Sequence, residues 1–294
     1  MNVAYIFHSG FLVETAECYY IFDYWKGTLP ALDISKPVFV FVSHSHADHY
    51  NPEIFSLLRS QGMRRVIAVL AKDIPLKRYP AYLQPLTAEE LNASQEIPLT
   101  RKPSFPADNM LRDSIGTKNI PMDSIPADGI PIGSISTDNT PLRSIPAVKV
   151  YHSNKYDLPF HTHVQTLLST DSGVAYLVTC PEGTIYHAGD LNEWNLPETP
   201  EQERRQMTGS YRAAVNKLRE KAIDIAFLPL DPHLKECYAD GFLYFLKNMD
   251  VRQVFPMHYW EQPGIIGRFL EKFPQYREIV MDTEQFAEAH QHLR

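Results

Sequence analysis

The chain is poor in cysteine, in long apolar runs and in positive charge, and each shortage removes a class of protein. Its three cysteines, Cys18, Cys180 and Cys237, are odd in number, far apart and without a C-x-x-C pair. That excludes a disulfide scaffold and suits a reducing cytoplasm, with each cysteine a small buried apolar residue. No stretch approaches the roughly 20 apolar residues of a membrane helix, and the first residues lack a basic segment followed by an apolar run. We therefore expect a soluble, cytoplasmic protein with no membrane span. Lys and Arg total 28 against 35 Asp and Glu, a formal net charge of -7. That balance argues against nucleic acid as a partner, because phosphate backbones are gripped by basic patches. What the chain does have is length and apolar content, 294 residues at 44% hydrophobic, enough to bury a sizeable core.

Short strands open the sequence. Val3 to Phe7, Phe11 to Glu14 and Tyr19 to Phe22 are apolar runs separated by turn residues, the spacing of an antiparallel meander. Val38 to Val42 reads as a buried strand, and Ser43-His44-Ser45-His46-Ala47-Asp48-His49-Tyr50 follows it directly. Asn51-Pro52 then caps a helix whose Ile54, Leu57 and Leu58 recur at helical spacing. Three imidazoles and a carboxylate within six residues, at a strand-to-helix turn, read as a metal site. Histidine and aspartate supply the nitrogen and oxygen donors that zinc, iron and manganese share.

A ten-residue tandem repeat interrupts the pattern. Ser104, Ser114, Ser124, Ser134 and Ser144 each start a unit, followed by Phe105, Ile115, Ile125, Ile135 and Ile145. Its Pro, Ser, Asp, Asn and Gly resist helix, and one apolar residue every few positions builds no core. We read about 98–147 as an insertion into a single domain spanning 1–294. A mobile surface loop, a lid, an arm that joins copies into a homo-oligomer and a short solenoid-like stack all fit the pattern.

Beyond it, strands return at Val148 to Tyr151 and Val164 to Leu168. Val174 to Thr179 and Thr184 to His187 form a hairpin about Pro181-Glu182-Gly183. His187-Ala188-Gly189-Asp190 places a carboxylate after a glycine at a strand end. An amphipathic helix is expected over Glu203 to Lys221, a strand over Ile225 to Leu228 and a helix over Tyr238 to Leu246. Val254 to Met257 then leads to His258.

In this order the pieces resemble the metallo-β-lactamase superfamily. The likeness rests on the meander, S-H-S-H-A-D-H-Y, I-Y-H-A-G-D and F-P-M-H-Y, and covers nearly the whole chain outside the repeat. It is narrowest toward the metal-dependent hydrolases related to ascorbate-phosphate lactonases and the N-acylphosphatidylethanolamine phospholipase D group. The resemblance implies an α/β chain folded as a four-layer αββα sandwich, with one or two divalent ions at one edge. Zinc is the first expectation, manganese and iron the alternatives. It further implies that His44 and His46 bind one ion and Asp48 and His49 the other, with Asp190 between them and His258 completing the second site. Asp48 would also orient a water and take its proton.

The family's usual third histidine for the first ion is missing. Leu168 to Gly173 stands in its place, and Asp171 is the first substitute, favouring harder metals. His152, His161 and His163 are the alternatives. His8 is read as a turn residue that could hydrogen-bond a ligand or the surroundings of the ions. Tyr24, Trp25, Asp231, His233, Tyr259 and Trp260 are candidates for a substrate pocket. The function expected is a metal-dependent hydrolase cleaving an ester, lactone, amide or phosphodiester of a small molecule. A non-catalytic metal or metabolite sensor is the alternative, and an RNA-processing nuclease a third.

Overall fold

Val38–Val42 lies between two parallel neighbours and all five of its side chains are buried, as its unbroken Val-Phe alternation requires. It is the fourth strand (β4) of a seven-stranded sheet in a computed structural model that describes residues 1–95 and 144–283. The other strands are β1 (Asn2–Phe7), β2 (Gly10–Glu14), β3 (Tyr19–Phe22), β5 (Val66–Ala71), β6 (Leu83–Leu86) and β7 (Ile145–Val150), in the order β1-β2-β3-β4-β5-β7-β6. The second sheet has six strands, β8 (Lys155–Leu158), β9 (Thr162–Leu168), β10 (Val174–Cys180), β11 (Gly183–His187), β12 (Ala222–Pro229) and β13 (Asp250–Met257). They run in the order β13-β12-β11-β10-β9-β8. The meander at the N-terminus and the hairpin at Gly183 form as expected.

The core lies between the sheets. Phe11 stacks on Phe227 at 4.2 Å, and Phe41 meets Tyr176 edge-on at 5.1 Å. Two hydroxyls also cross the gap, Tyr20 bonding Thr162 at 2.9 Å and Tyr176 donating to the Val42 carbonyl at 2.8 Å. Buried phenols usually find such partners.

Helices cover the outer faces, giving the four-layer αββα sandwich. α1 (Glu53–Ser60) buries Ile54, Phe55 and Leu58, and Asn51 Oδ1 accepts from its first amide, Glu53 N, at 3.0 Å. α2 (Ala88–Gln95) precedes β7. On the second sheet, α4 (Asp240–Asn248) sets Phe245 against Tyr186 at 5.2 Å. α3 (Glu201–Val215) packs beside it and buries Tyr211, Ala214 and Val215. α5 (Gly264–Lys272) follows β13 and buries Ile265, Ile266 and Phe269.

Most of the ten-residue repeat lies outside the described residues. Its last unit does not: Ile145 to Ala147 are part of β7, paired on both sides, because Ile145 and Ala147 are buried core residues. Among the described residues no helix is long and apolar enough to cross a membrane.

Candidate metal centre

β3 and β4 run parallel in one sheet, and β11, β12 and β13 run parallel in the other. Their carboxyl ends converge on one edge, where irregular backbone can aim side chains that a strand would hold apart. Asp23 follows β3, His44 to His49 follow β4, Asp190 follows β11, Asp231 follows β12 and His258 follows β13. His8 enters from the turn after β1, and Asp171 from the turn between β9 and β10.

The donors fall into two groups, His44, His46, Asp171 and Asp190 in one, and His8, Asp48, His49 and His258 in the other. Within each, one ligand atom per residue lies within 4.8 Å of all the rest. Asp190 reaches both groups. Its Oδ2 is 3.2 Å from His44 Nε2, while its Oδ1 is 3.1 Å from His49 Nε2 and 3.5 Å from His258 Nε2. Asp48 Oδ2 lies 3.4 Å from His8 Nε2, 3.5 Å from His49 Nε2 and 3.7 Å from His258 Nε2. His46 Nδ1 is 3.8 Å from Asp171 Oδ2 at the open side of the cluster.

These separations are short, yet the atoms are not aligned on one another. His8 Nε2, His44 Nε2, His49 Nε2 and Asp190 Oδ1 are buried and none makes a hydrogen bond. Orphaned polar atoms of this kind are costly, about 1–3 kcal/mol each. Their convergence is what a cation-binding cradle of imidazole nitrogens and carboxylate oxygens presents. The donor set therefore fits one or two divalent ions.

Charge is compensated within the cluster. Burial would raise the Asp190 carboxyl, but the charge of His49 and the close approach of the His44 and His49 rings hold it well below the usual carboxylate range. His49 goes the other way: burial disfavours its charge, and Asp190 with Asp23 raises it well above an ordinary histidine. Asp48 is half-buried, which would raise it, yet the nearby His8 ring and the charge of His49 keep it ionised. His8 itself is lowered, chiefly by burial.

A second layer orients these donors. Asp23, 1% exposed, accepts from Ser43 N at 2.7 Å, from Ser43 Oγ at 2.6 Å and from His49 Nδ1 at 2.8 Å. Ser43 Oγ also lies 2.9 Å from His44 Nδ1. His187 Nε2 donates to the Ser9 carbonyl at 2.9 Å, leaving Nδ1 to accept from Gly189 N at 3.1 Å. Asp231 Oδ2 holds His258 Nδ1 at 3.0 Å, and Trp194 Nε1 donates to the Asp190 carbonyl at 2.8 Å. Fixing one ring nitrogen so that the other faces the ion is the usual task of such partners.

The backbone is strained at the same places. His8, Asp23 and His258 have φ of 56°, 42° and 61°, a left-handed conformation costing a residue with a side chain about 1–3 kcal/mol. Gly173 (φ 66°) makes the closest approach: a Cβ there would sit 1.9 Å from the Ser43 carbonyl oxygen and 2.6 Å from His44 Cβ. Only glycine permits that contact.

Of the residues expected from the sequence, His44, His46, Asp48, His49, Asp171, Asp190 and His258 are brought together. His152, His161 and His163 belong to neither group; His163 instead pairs with Asp157 on an exposed strand at 2.6 Å. His8 stands among the donors rather than in a plain turn. Asp231 lies behind His258, with His233 bonded to its other oxygen at 2.9 Å. Tyr24 and Tyr259 are buried away from the cluster, their hydroxyls on the Gly27 carbonyl and on Thr283. Trp25 and Trp260 face it, at 5.6 and 4.6 Å from the His8 ring. Asp23 and His187 join the cluster from behind, one a carboxylate closing β3 and the other the histidine of H-A-G-D at the end of β11.

No protein-family model matches the chain, and no curated protein matches it significantly. Solved structures do. A novel metallo hydrolase from the archaeon Ignicoccus hospitalis superposes with a TM-score of 0.51 at 14% identity, over 95% of this chain and 93% of that one. CmlA, a diiron β-hydroxylase from Streptomyces venezuelae, matches at 0.47 and 11%, over 95% of this chain and 52% of that one. BJP-1, a subclass B3 metallo-β-lactamase of Bradyrhizobium japonicum, matches at 0.30 and 10%, over 77% and 76%. The chain thus shares the fold of the archaeal metallo hydrolase over nearly its whole length.

Proposed function

We propose that the protein is a metal-dependent hydrolase that cleaves an ester, lactone, amide or phosphodiester bond of a small molecule. One observation carries the reading: three histidine nitrogens and one carboxylate oxygen, all buried and without hydrogen bonds, point into a common space that Asp190 spans. In this reading His44, His46, Asp171 and Asp190 would hold one divalent ion, and His8, Asp48, His49 and His258, with Asp190 beside them, would hold the other. Such ions lower the pKa of water and polarise a carbonyl or phosphoryl oxygen.

The remaining work falls to the chain's own groups. Asp48 Oδ2, half-enclosed among three imidazoles, orients the attacking water and accepts its proton. Asp23 and Asp231 keep His49 and His258 turned with Nε2 inward. Access is over His46 and Asp171, whose side chains are 51% and 47% exposed. Zinc suits the nitrogen-rich group, and the two carboxylates of the other also admit manganese or iron.

The test couples metal analysis of the purified protein to hydrolysis of chromogenic esters and bis(4-nitrophenyl) phosphate. We expect metal to co-purify, and His46→Ala and Asp190→Ala to lower both metal content and turnover. A metal-replete parent protein inert toward every such substrate would contradict hydrolysis and favour a sensor of the same fold.

A further inference from the structure

All three tryptophans of the chain stand at the metal centre. Trp25 meets the His8 ring at 5.6 Å, Trp260 meets His8 at 4.6 Å and His258 at 5.3 Å, and Trp194 meets His258 at 5.5 Å. Trp25 and Trp260 also meet each other edge-on at 6.5 Å. They form a wall on the side of His8 and His258. The opposite side, around His46 and Asp171, is exposed, and Thr170 beside Asp171 lines a separate cleft with Glu203, Gln206, Met207 and Ser210.

What the wall offers a ligand is carbon. The indole N–H of Trp260 is committed to Asp231 Oδ2 at 3.2 Å, and that of Trp194 to the Asp190 carbonyl. Trp260 is nonetheless 38% exposed, a large aromatic surface open to solvent beside the donors. Its setting is built, since His258, Trp260 and Glu261 have φ of 61°, 48° and 57° within four consecutive residues. Backbone held in that region at a ligand-facing loop points to a functional constraint. A cationic ligand fits poorly. Lys26 Nζ already lies over the rings of Phe7 at 4.2 Å and Trp25 at 4.6 Å, tied to Glu261 at 3.5 Å, and so occupies the place a second cation would take on Trp25.

Resting on the hydrolase reading above, we infer that the substrate carries a flat, uncharged apolar group, aromatic or cyclic, beside the scissile bond. That group lies on Trp260 and Trp25, while the more polar part of the substrate faces the side of His46 and Asp171. The tryptophans select the substrate and take no part in bond cleavage. Offset or edge contacts between rings then supply the preference.

The test measures binding to the metal-loaded protein by titration calorimetry, using benzylphosphonate, methylphosphonate and 2-aminoethylphosphonate. We expect benzylphosphonate to bind about tenfold more tightly than methylphosphonate. Trp260→Ala should reduce that ratio to about twofold, and Trp260→Phe should retain most of it, with metal content measured for each variant. Equal binding of benzyl and methyl probes, or a ratio untouched by Trp260→Ala, would overturn the inference and leave the hydrolase reading standing. Tightest binding of the aminoethyl probe would overturn it in favour of a cation subsite. Failure of all three to bind a metal-replete protein would overturn both readings.

Discussion

His49 is held from both ends, its Nδ1 2.8 Å from Asp23 Oδ2 and its Nε2 3.1 Å from Asp190 Oδ1. Asp23 stays ionised although it is fully buried: desolvation would raise it, and the charges of His187, His49 and His44 with the His49 hydrogen bond lower it. An ionised Asp23 fixes the proton of His49 on Nδ1 and frees Nε2 for an ion. Asp23→Asn should therefore weaken metal binding by about 10- to 100-fold, because the partners that orient a ligand matter nearly as much as the ligand. Competition with a chromogenic chelator measures this, and an unchanged affinity would remove Asp23 from the account.

Gly173 lies under the leading histidine. Its φ of 66° and the 1.9 Å approach of a Cβ to the Ser43 carbonyl oxygen leave no room for a side chain. Gly173→Ala should cost about 2–3 kcal/mol and displace His44, through both backbone strain and overpacking. Thermal unfolding of the metal-free proteins gives the stability, and metal titration gives the displacement. A neutral effect on both would show that the turn can move away.

The metal-free protein should lose stability as the medium is acidified. His8 and His187 are lowered from 6.5, mainly by burial, so the unfolded chain takes up their protons first as pH falls through 6.5. His49 is raised and opposes this, contributing stability below 6.5 that is lost as pH rises through its folded value. Asp23 and Asp190 are lowered from 3.8, so their contribution is complete above that value and disappears as pH falls below it. The histidine effects partly offset one another, and the steep loss is expected below about pH 4. Denaturant unfolding of the apoprotein from pH 3 to pH 8 tests this; a flat profile below pH 5 would contradict it.

All three cysteines are buried and free. Burial pushes the Cys18 thiol up to about 11 and also raises Cys237, so little thiolate is available at pH 8. The native protein should react with a disulfide reagent far more slowly than the unfolded chain, which should titrate three thiols. Fast native labelling would show that Cys18 is not enclosed.

Much of this centre was legible in the sequence because its densest part is local. His44, His46, Asp48 and His49 occupy six residues after a strand whose burial its composition announces. Asp190 and His258 gained meaning only from the resemblance, since each is a single polar residue at a strand end. Asp171 is the carboxylate of the turn where the resemblance expects a histidine, and it lies in the same group as His44, His46 and Asp190. His8 reads as a turn residue in the sequence, because it meets Asp48 and His258 at separations of 40 and 250 residues and depends on a positive φ that no sequence pattern marks. Asp23 and Asp231 act through contacts 26 and 27 residues away. Adjacent aromatics were indistinguishable in sequence, yet Tyr24 and Tyr259 turn inward while Trp25 and Trp260 face the centre. The start of β7 was masked by the repeat register that Ser144 and Ile145 share.

The central claim is that Asp190 is shared by two ions, one held with His44, His46 and Asp171 and the other with His8, Asp48, His49 and His258. Diffraction from crystals of the metal-loaded protein, recorded on either side of the absorption edge of the bound metal, tests it most directly. The account predicts two anomalous peaks, one on each side of Asp190, with Asp171 coordinating the first and His8 the second. A single peak, or two peaks with Asp171 outside the coordination sphere, would contradict it.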